Sequence, residues 1–410
     1  VAKVARSPDL GEKFAAMGAV PYARNSADTQ AYIRSEIARW SHVIRAAGAT
    51  VHDSVKKGTT YLVAGEKTGK TKIICRTGDP MNLTDLEIAN PANARSIILL
   101  AGDDSPDPDA DDAGDPRQAT AVAQKLCDQN VAGLVGHLQS GTSIPAASVY
   151  SRCGLPNITA SASNPDLTKP GYKTTFRLIA NDNALGADLA VYAADTLKLK
   201  KVAVIDDRTA YGQGVASVFK ATALQKGMAV VAEEFTNDKA TDFMAILTKI
   251  KSTKPDAIFY GGLDAQAGPM LRQMVQLGLG DAKFFGGDAL CTEKLPELAG
   301  KSPILKNVTC ATGGASVDKM QGGADWKKRY DAKFPGQFQI YSPYAYDAAM
   351  VLADAMKRAD SVDPKVYAPF ISKTQYKGVT ANIAFTTKGE LTTPAVTLYT
   401  YKDNARVTLN

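Results

Sequence analysis

From residue 115 onward, short apolar runs alternate with helix-period stretches, separated by turns containing Gly and Asp. Lys201–Asp206 (KVAVID) predicts a strand, and Gly214–Lys226 the helix that follows it. Val230–Phe235 predicts a strand, Asp242–Lys251 a helix, Asp256–Tyr260 (DAIFY) a strand, Pro269–Leu277 a helix, and Lys283–Phe285 the start of another strand. A later helix is expected over Ala345–Ala359. Runs this apolar, spaced by helices, predict parallel sheets covered on both faces. Upstream, Val131–Val135 and Leu155–Thr159 read as short buried strands, each ending in small hydroxyl residues. The first ends at Gly136-His137-Leu138-Gln139-Ser140-Gly141-Thr142, the second at Ala160-Ser161-Ala162-Ser163-Asn164-Pro165.

Residues 1–114 read differently. Ser26–Ala47 places Ile33, Ile37, Trp40 and Ile44 on one stripe with Gly48 as a stop, the mark of an amphipathic helix. Thr59–Val63 is strand-like, and Ala94–Leu100 (ARSIILL) predicts a strand. Asp103–Pro116 (DDSPDPDADDAGDP) is rich in Asp and Pro and reads as a solvated loop or linker.

In sheets of this kind ligands bind at the carboxyl ends of the strands, where helix N-termini present free N–H groups. The candidate contact residues lie there: Ser140, Ser161, Ser163, Tyr211, Asp264 and Asp288. Hydroxyls and N–H groups suit a carboxylate. A buried ammonium needs a fixed carboxylate to offset several kcal/mol of desolvation, and Asp264 and Asp288 are the acids that this reading finds at strand ends. Asp288 also has a plainer reading, as the cap of a helix expected near Thr292. Tyr211 and Tyr341 fall in loops, where a large ring with a polar tip fits a cleft wall, whereas Tyr344 and Tyr346 suit a core or interface.

Bulk properties narrow the function. A length of 410 residues suggests two or three domains, and 45% hydrophobic with 22% charged residues is ordinary for a globular chain. A net charge of +6 without a Lys/Arg block argues against nucleic-acid binding. No apolar run approaches the ~20 residues of a membrane span. The chain starts at Val1 without Met or a signal-peptide core, so a leader is expected to have been removed or not included. Among the five cysteines, no CxxC or Cys/His metal spacing occurs. Cys291 and Cys310 follow neighbouring strand patterns, which leaves open a disulfide or a pair of buried thiols.

Three tempting motifs fail on their own chemistry. Ala64–Thr71 (AGEKTGKT) matches a permissive phosphate loop, but Gly78-Asp79-Pro80 cuts short the helix it requires, so a plain turn is expected. Asp107–Gln118 resembles a calcium loop yet has Asp112 where Gly is required and Gln118 where a bidentate Glu is required. His137, three residues before Ser140, lacks a nucleophile elbow and an orienting carboxylate, so it reads as a structural or pocket-rim residue. With three histidines in all, a histidine-rich metal site is impossible. The pattern indicates grip rather than catalysis, with no cofactor and no metal.

The motifs GDPRQATAVAQKL, GHLQSGTSIPA, DDRTAYGQG, TNDKATDFMAILTKIKSTKPDAIFYGG, GGDALCTEKL and YSPYAYDAAMVLADAMKRA run through residues 115–410. This stretch resembles the periplasmic leucine/isoleucine/valine-binding proteins that feed branched-chain amino-acid ABC transporters. The resemblance implies an α/β fold of type I: two doubly wound parallel-sheet lobes, joined by a three-crossover hinge and closing on an amino acid. It implies one lobe from residues 115–181 and 312–392 and a second from 182–311 and 393–410. It also implies a monomer in the periplasm that hands its ligand to a membrane permease. Carried over by motif, Ser140 binds the ligand carboxylate, while the Ser161 carbonyl, the Ser163 hydroxyl and Asp288 hold the α-ammonium. Tyr211 and Tyr341 line the side-chain pocket, with Leu138 and Asp264 nearby. The family's usual residue at Ser163 is Thr, some members carry Glu at Asp288, and some place an aromatic residue at Asp264, which makes this pocket more polar.

The front of the chain departs from that family, which normally begins with a strand, a Gly-rich loop and a long helix. Asp9–Ala49 resembles the C-terminal end of the tripartite-tricarboxylate receptor family, Thr50–Lys72 a piece of the BRCT domain of NAD-dependent DNA ligases, and Arg76–Asp112 a segment of an ion-channel regulatory region. These read as fused fragments too short to bring their families' functions. Two other functions compete with transport: a ligand-sensing module built on the same lobe pair, and a fusion that no longer binds because its first lobe is incomplete.

Overall fold

A computed structural model describes residues 112–409, together with the backbone of residues 97–99. The expected helix at Ser26–Ala47, the strand-like Thr59–Val63, the Ala64–Thr71 turn, Cys75 and nearly all of the three fused-fragment resemblances lie outside the described residues. Of Ala94–Leu100, the described part forms β1 (Ile97–Leu99).

Next come α1 (Pro116–Asp128), β2 (Gly133–Val135), α2 (Ser140–Cys153), β3 (Asn157–Thr159) and β4 (Thr175–Arg177). Asp115 starts α1 by accepting from the backbone N–H of Arg117 at 2.7 Å, with Pro116 as the first helical residue. The stretch read as solvated loop is therefore anchored at its end. β1 to β4 pair in sequence order as a parallel sheet.

The chain continues with α3 (Asp182–Val191), β5 (Lys201–Asp206), α4 (Ala210–Gln225), β6 (Ala229–Phe235), α5 (Met244–Ser252), β7 (Ala257–Gly261), α6 (Asp264–Gln276), β8 (Lys283–Gly286), α7 (Leu295–Leu298) and β9 (Val308–Thr312). α8 (Gly323–Lys333), α9 (Ser342–Ala359), α10 (Pro364–Ile371), the short antiparallel pair β10 (Tyr376–Lys377) and β11 (Asn382–Ile383), and β12 (Thr397–Lys402) with β13 (Ala405–Thr408) complete it. The second sheet has the order β13-β12-β9-β8-β7-β5-β6. Strands β6, β5, β7, β8 and β9 are parallel, whereas β12 runs antiparallel to β9 and β13. The parallel run is the predicted one, to which β12 and β13 add an antiparallel edge. Its hairpin turns at Asp403-Asn404, both with positive φ, as a tight two-residue turn requires.

Side chains alternate faces with period two, and each face has its own core. Ala203, Ile205, Ile258, Tyr260 and Phe284 pack on Met270, Leu271 and Met274 of α6, while Val202, Val204, Phe259 and Phe285 pack on Leu185 and Leu189 of α3 and Phe219 of α4. In the first sheet, Val135, Ile158 and Phe176 face Leu352 and Met356 of α9, and Leu134 faces Leu126 of α1 and Val149 of α2.

The chain passes between the lobes three times, and the passing segments are bonded to one another. The Ala180 N–H donates to Gly313 O at 3.0 Å, and Thr397 Oγ1 donates to Gly314 O at 2.6 Å. Cys291 and Cys310 form a disulfide, so the thiol alternative is removed; a second, unforeseen bond joins Cys127 to Cys153 at the C-terminal ends of α1 and α2.

Candidate functional site

Residues 136–139 lead from β2 into α2, whose first residue meets the loop that follows β3. Gln139 provides no side-chain cap there, so the positive end of α2 is left for an anion. Ser140 opens the helix. Its Oγ accepts from the backbone N–H of Asn164 at 3.1 Å, which leaves its own proton to donate. His137 is buried: its Nδ1 pairs with Asp112 Oδ2 at 2.5 Å, and its Nε2 meets the Tyr150 hydroxyl at 2.8 Å. Asp112 is the orienting carboxylate that the sequence reading did not find, but the second ring nitrogen is held by Tyr150 and not by Ser140, so His137 takes the structural place of the two expected for it.

The β3 end supplies the second group. Ser161 commits its hydroxyl to Leu138 O at 2.7 Å, so its backbone carbonyl is what it can offer a ligand, and half-buried Leu138 is held beside it. Ser163 is fully buried, and its Oγ has no hydrogen-bond partner.

Asp288 follows β8 and is 1% exposed. Its Oδ1 accepts only from the N–H of Ala289, at 3.1 Å within its own turn, and its Oδ2 has no partner. It does not cap a helix near Thr292, since α7 starts at Leu295, and the capping alternative falls away. Burial raises its pKa, while the phenols of Tyr211 and Tyr341 act in the opposite sense by favouring the carboxylate. Tyr211 lies inside α4, which begins four residues earlier than the sequence predicts, with Thr209 Oγ1 accepting from the Gly212 N–H at 2.9 Å. The Tyr211 hydroxyl accepts from the Ala289 N–H at 3.2 Å, and a Cβ at Gly287 would overlap that hydroxyl. Tyr341 immediately precedes α9.

Asp264 opens α6, five residues before the predicted start, and its carboxylate accepts from Thr292 Oγ1 at 2.5 Å. It stands farther out, half-buried, but within electrostatic reach of Tyr341. Burial raises its pKa as well.

The expectation that Asp264 and Asp288 are the acids at strand ends is incomplete. Asp182, the first residue of α3, is fully buried with neither carboxylate oxygen bonded. Burial first, and the nearby Asp288 second, push its pKa up to about 8, against the pull of Ser163 and Arg177. Arg177, also unforeseen and fully buried, clamps the β3 loop. It donates to Ala162 O at 2.7 Å and Asn164 O at 3.0 Å, and makes a two-point pair with Glu390 at 2.8 and 3.1 Å.

The Ser140 hydroxyl and the α2 N-terminus thus suit an anion, whereas the Ser161 carbonyl and the two buried carboxylates suit a cation. Among the described residues, no cluster of His, Cys, Asp and Glu is arranged to hold a metal ion, and no helix is long and apolar enough to cross a membrane.

Comparison with known proteins accords with this geometry. The chain is 34% identical over 325 residues to an amino acid binding protein of Pseudomonas aeruginosa, covering 78% of this chain and 83% of the relative. It is likewise 34% identical over 325 residues to Leu/Ile/Val-binding protein homolog 1 of Brucella suis biovar 1, covering 79% and 84%. The crystal structure of a leucine binding protein from Thermotoga maritima superposes with a TM-score of 0.69 at 25% identity, covering 73% of this chain and 85% of that one. The family model described as periplasmic binding protein matches residues 109–406, and the chain belongs to that family.

Proposed function

We propose that this chain is the extracytoplasmic substrate-binding protein of an ABC transporter. It takes an amino acid, branched-chain or related, between its lobes and delivers it to the membrane permease. The observation that carries the reading is the separation of charge demands within one buried space. Ser140 and the α2 N-terminus suit a carboxylate, whereas Ser163, Asp182 and Asp288 hold unbonded acceptors that suit an ammonium. The Ser161 carbonyl completes the ammonium site, and Tyr211, Tyr341, Leu138 and Asp264 bound the side-chain pocket.

On this reading, residues 115–181 with 312–392 form one lobe, to whose sheet β1 (Ile97–Leu99) adds a strand from before the expected boundary, and 182–311 with 393–410 form the other. The protein acts as a monomer in the periplasm, catalyses no reaction and needs no cofactor. Relatives named for amino-acid and Leu/Ile/Val binding support it. Calorimetry and thermal melting across the twenty amino acids test it. Saturation by at least one aliphatic amino acid and a raised melting midpoint are expected. Folded protein that gives neither heat nor a shift with any of them would refute the proposal.

A further inference from the structure

Asn164 touches more of this site than any hydroxyl residue does, and it does so from the lobe opposite α4. Its backbone N–H donates to Ser140 Oγ at 3.1 Å, and its carbonyl accepts from Arg177 at 3.0 Å. Its Oδ1 caps the turn at Pro165–Leu167 by accepting from the Asp166 N–H at 2.8 Å. Its remaining group, Nδ2, crosses the cleft and donates to Ala210 O at the start of α4, at 2.6 Å. The facing position on α4 is Gly214, where a Cβ would lie 2.7 Å from Asn164 Nδ2 and 3.1 Å from Asp182 Oδ2. Gly214 has ordinary helical backbone, so the close approach of Asn164 and Asp182 is what requires glycine there.

We propose that Asn164 is the closure latch of this protein, coupling ligand contact to lobe docking, with Gly214 as its strike plate. The Asn164–Ala210 bond exists only when the lobes are shut. The same residue fixes the hydroxyl of Ser140, whose free proton meets the ligand's anionic end. A carboxylate at Ser140 and a shut cleft therefore favour the same placement of the β3 loop, and the buried Arg177 holds that loop rigid enough to transmit it. The inference deepens the amino-acid-binding reading and rests on it.

The latch can be separated from the structural duties of Asn164. Asn164→Ser keeps a capping acceptor for the Asp166 N–H but is too short to reach Ala210. Asn164→Asp keeps size and cap but removes the donor. With L-leucine as probe, stopped-flow tyrosine fluorescence should show dissociation roughly tenfold faster in Asn164→Ser, as expected for one lost hydrogen bond, and faster still in Asn164→Asp, whose carboxylate opposes the Ala210 carbonyl, with association little changed. Their ligand-free melting midpoints should fall by much less than the loss of affinity would require. Gly214→Ala, which touches no cap, should weaken binding more than either and leave the leucine-saturated protein expanded in small-angle scattering. Wild-type dissociation rates in Asn164→Ser, or a ligand-free melting loss that accounts for the weaker binding, would overturn the latch. Binding by wild type with no effect of the variants defeats the latch alone, whereas silence of wild type toward every amino acid defeats the reading on which it rests.

Discussion

Replacing Asp182 with Asn should move stability and affinity in opposite directions. In the shut, empty cleft the Asp182 carboxyl stands at about 8 against an ordinary 3.8, chiefly through burial and then through Asp288. At about 1.4 kcal/mol per unit, ionised solvent-exposed Asp182 at pH 7 gives up about 4 kcal/mol on entering that environment, most of it as the cost of taking up a proton. A carboxyl raised in this way binds more protons when closed. Its contribution to the shut form is complete below about pH 4, falls by about 1.4 kcal/mol per pH unit above that, and is gone above about pH 8. Asp288 shifts in the same direction and is coupled to Asp182, so the difference between wild type and variant reads Asp182 together with that coupling. Opening the lobes also hydrates Asp182, so small-angle scattering and thermal melting of ligand-free protein between pH 5 and 8 read the same quantity. Wild type should compact and gain stability on acidification; Asp182→Asn should be the more compact at pH 7 and respond less steeply across that range, its remaining slope coming from Asp288. With an amino acid bound, the ammonium takes the place of the proton, and the variant should bind less tightly despite its more stable shut form. Equal pH slopes and equal radii in the two proteins would show that Asp182 is solvated or balanced, and the two-carboxylate account would be wrong.

Ser140→Ala removes the hydroxyl offered to the anionic end and leaves the Asn164 N–H without its acceptor; amino-acid affinity by calorimetry should fall at least about tenfold with the fold retained. Arg177→Met leaves two buried loop carbonyls without their donor and half-buried Glu390 without its cation, so urea unfolding should show a loss of about 3 kcal/mol, and removing Glu390 as well should recover part of it. Cys291→Ser with Cys310→Ser opens a short loop beside Asp288, and the midpoint of thermal unfolding should drop to match a loss of about 3 kcal/mol; wild type under reductant, which also opens Cys127–Cys153, should drop further.

Much of the fold is visible in the chain because its parallel strands are buried on both faces and so read as unbroken apolar runs; KVAVID and DAIFY are examples. Shorter strands hide. β4 is three residues long, TFR, and contains the buried Arg177, so its end was not counted among strand ends and Asp182 just beyond it went unseen. Two glycines in AYGQG disguised the first turn of α4, although Thr209 three residues before Gly212 is a capping signal. Pro269 looked like a helix start by its preference for the first turn, yet α6 accommodates it as the sixth residue. The Cys127–Cys153 bond had no local signature, since it depends on the packing of α1 against α2.

Burial alone does not distinguish a structural acid from a ligand-binding one, and two aspartates here show what does. Asp347 and Asp288 are equally withdrawn from water. Asp347 accepts from the N–H groups of Val379 and Thr380 at 2.9 and 2.7 Å and from Thr380 Oγ1 at 2.5 Å, so α9 and the β10–β11 loop together satisfy it. Asp288 has one backbone donor, within its own turn, and its other neighbours are the phenols of Tyr211 and Tyr341, which belong to the candidate pocket. Of the nine buried side-chain atoms without partners among the described residues, four belong to Ser163, Asp182 and Asp288. Folded proteins rarely tolerate such atoms, because each forfeits its hydration without recovering a bond. Their concentration at one point, all acceptors or hydroxyls, beside an uncapped helix terminus, makes the shut cleft costly when empty. A molecule carrying a donor-rich cation at one end and an anion at the other removes that cost at both ends at once. The ligand's free energy of binding is thus also the free energy that shuts the lobes.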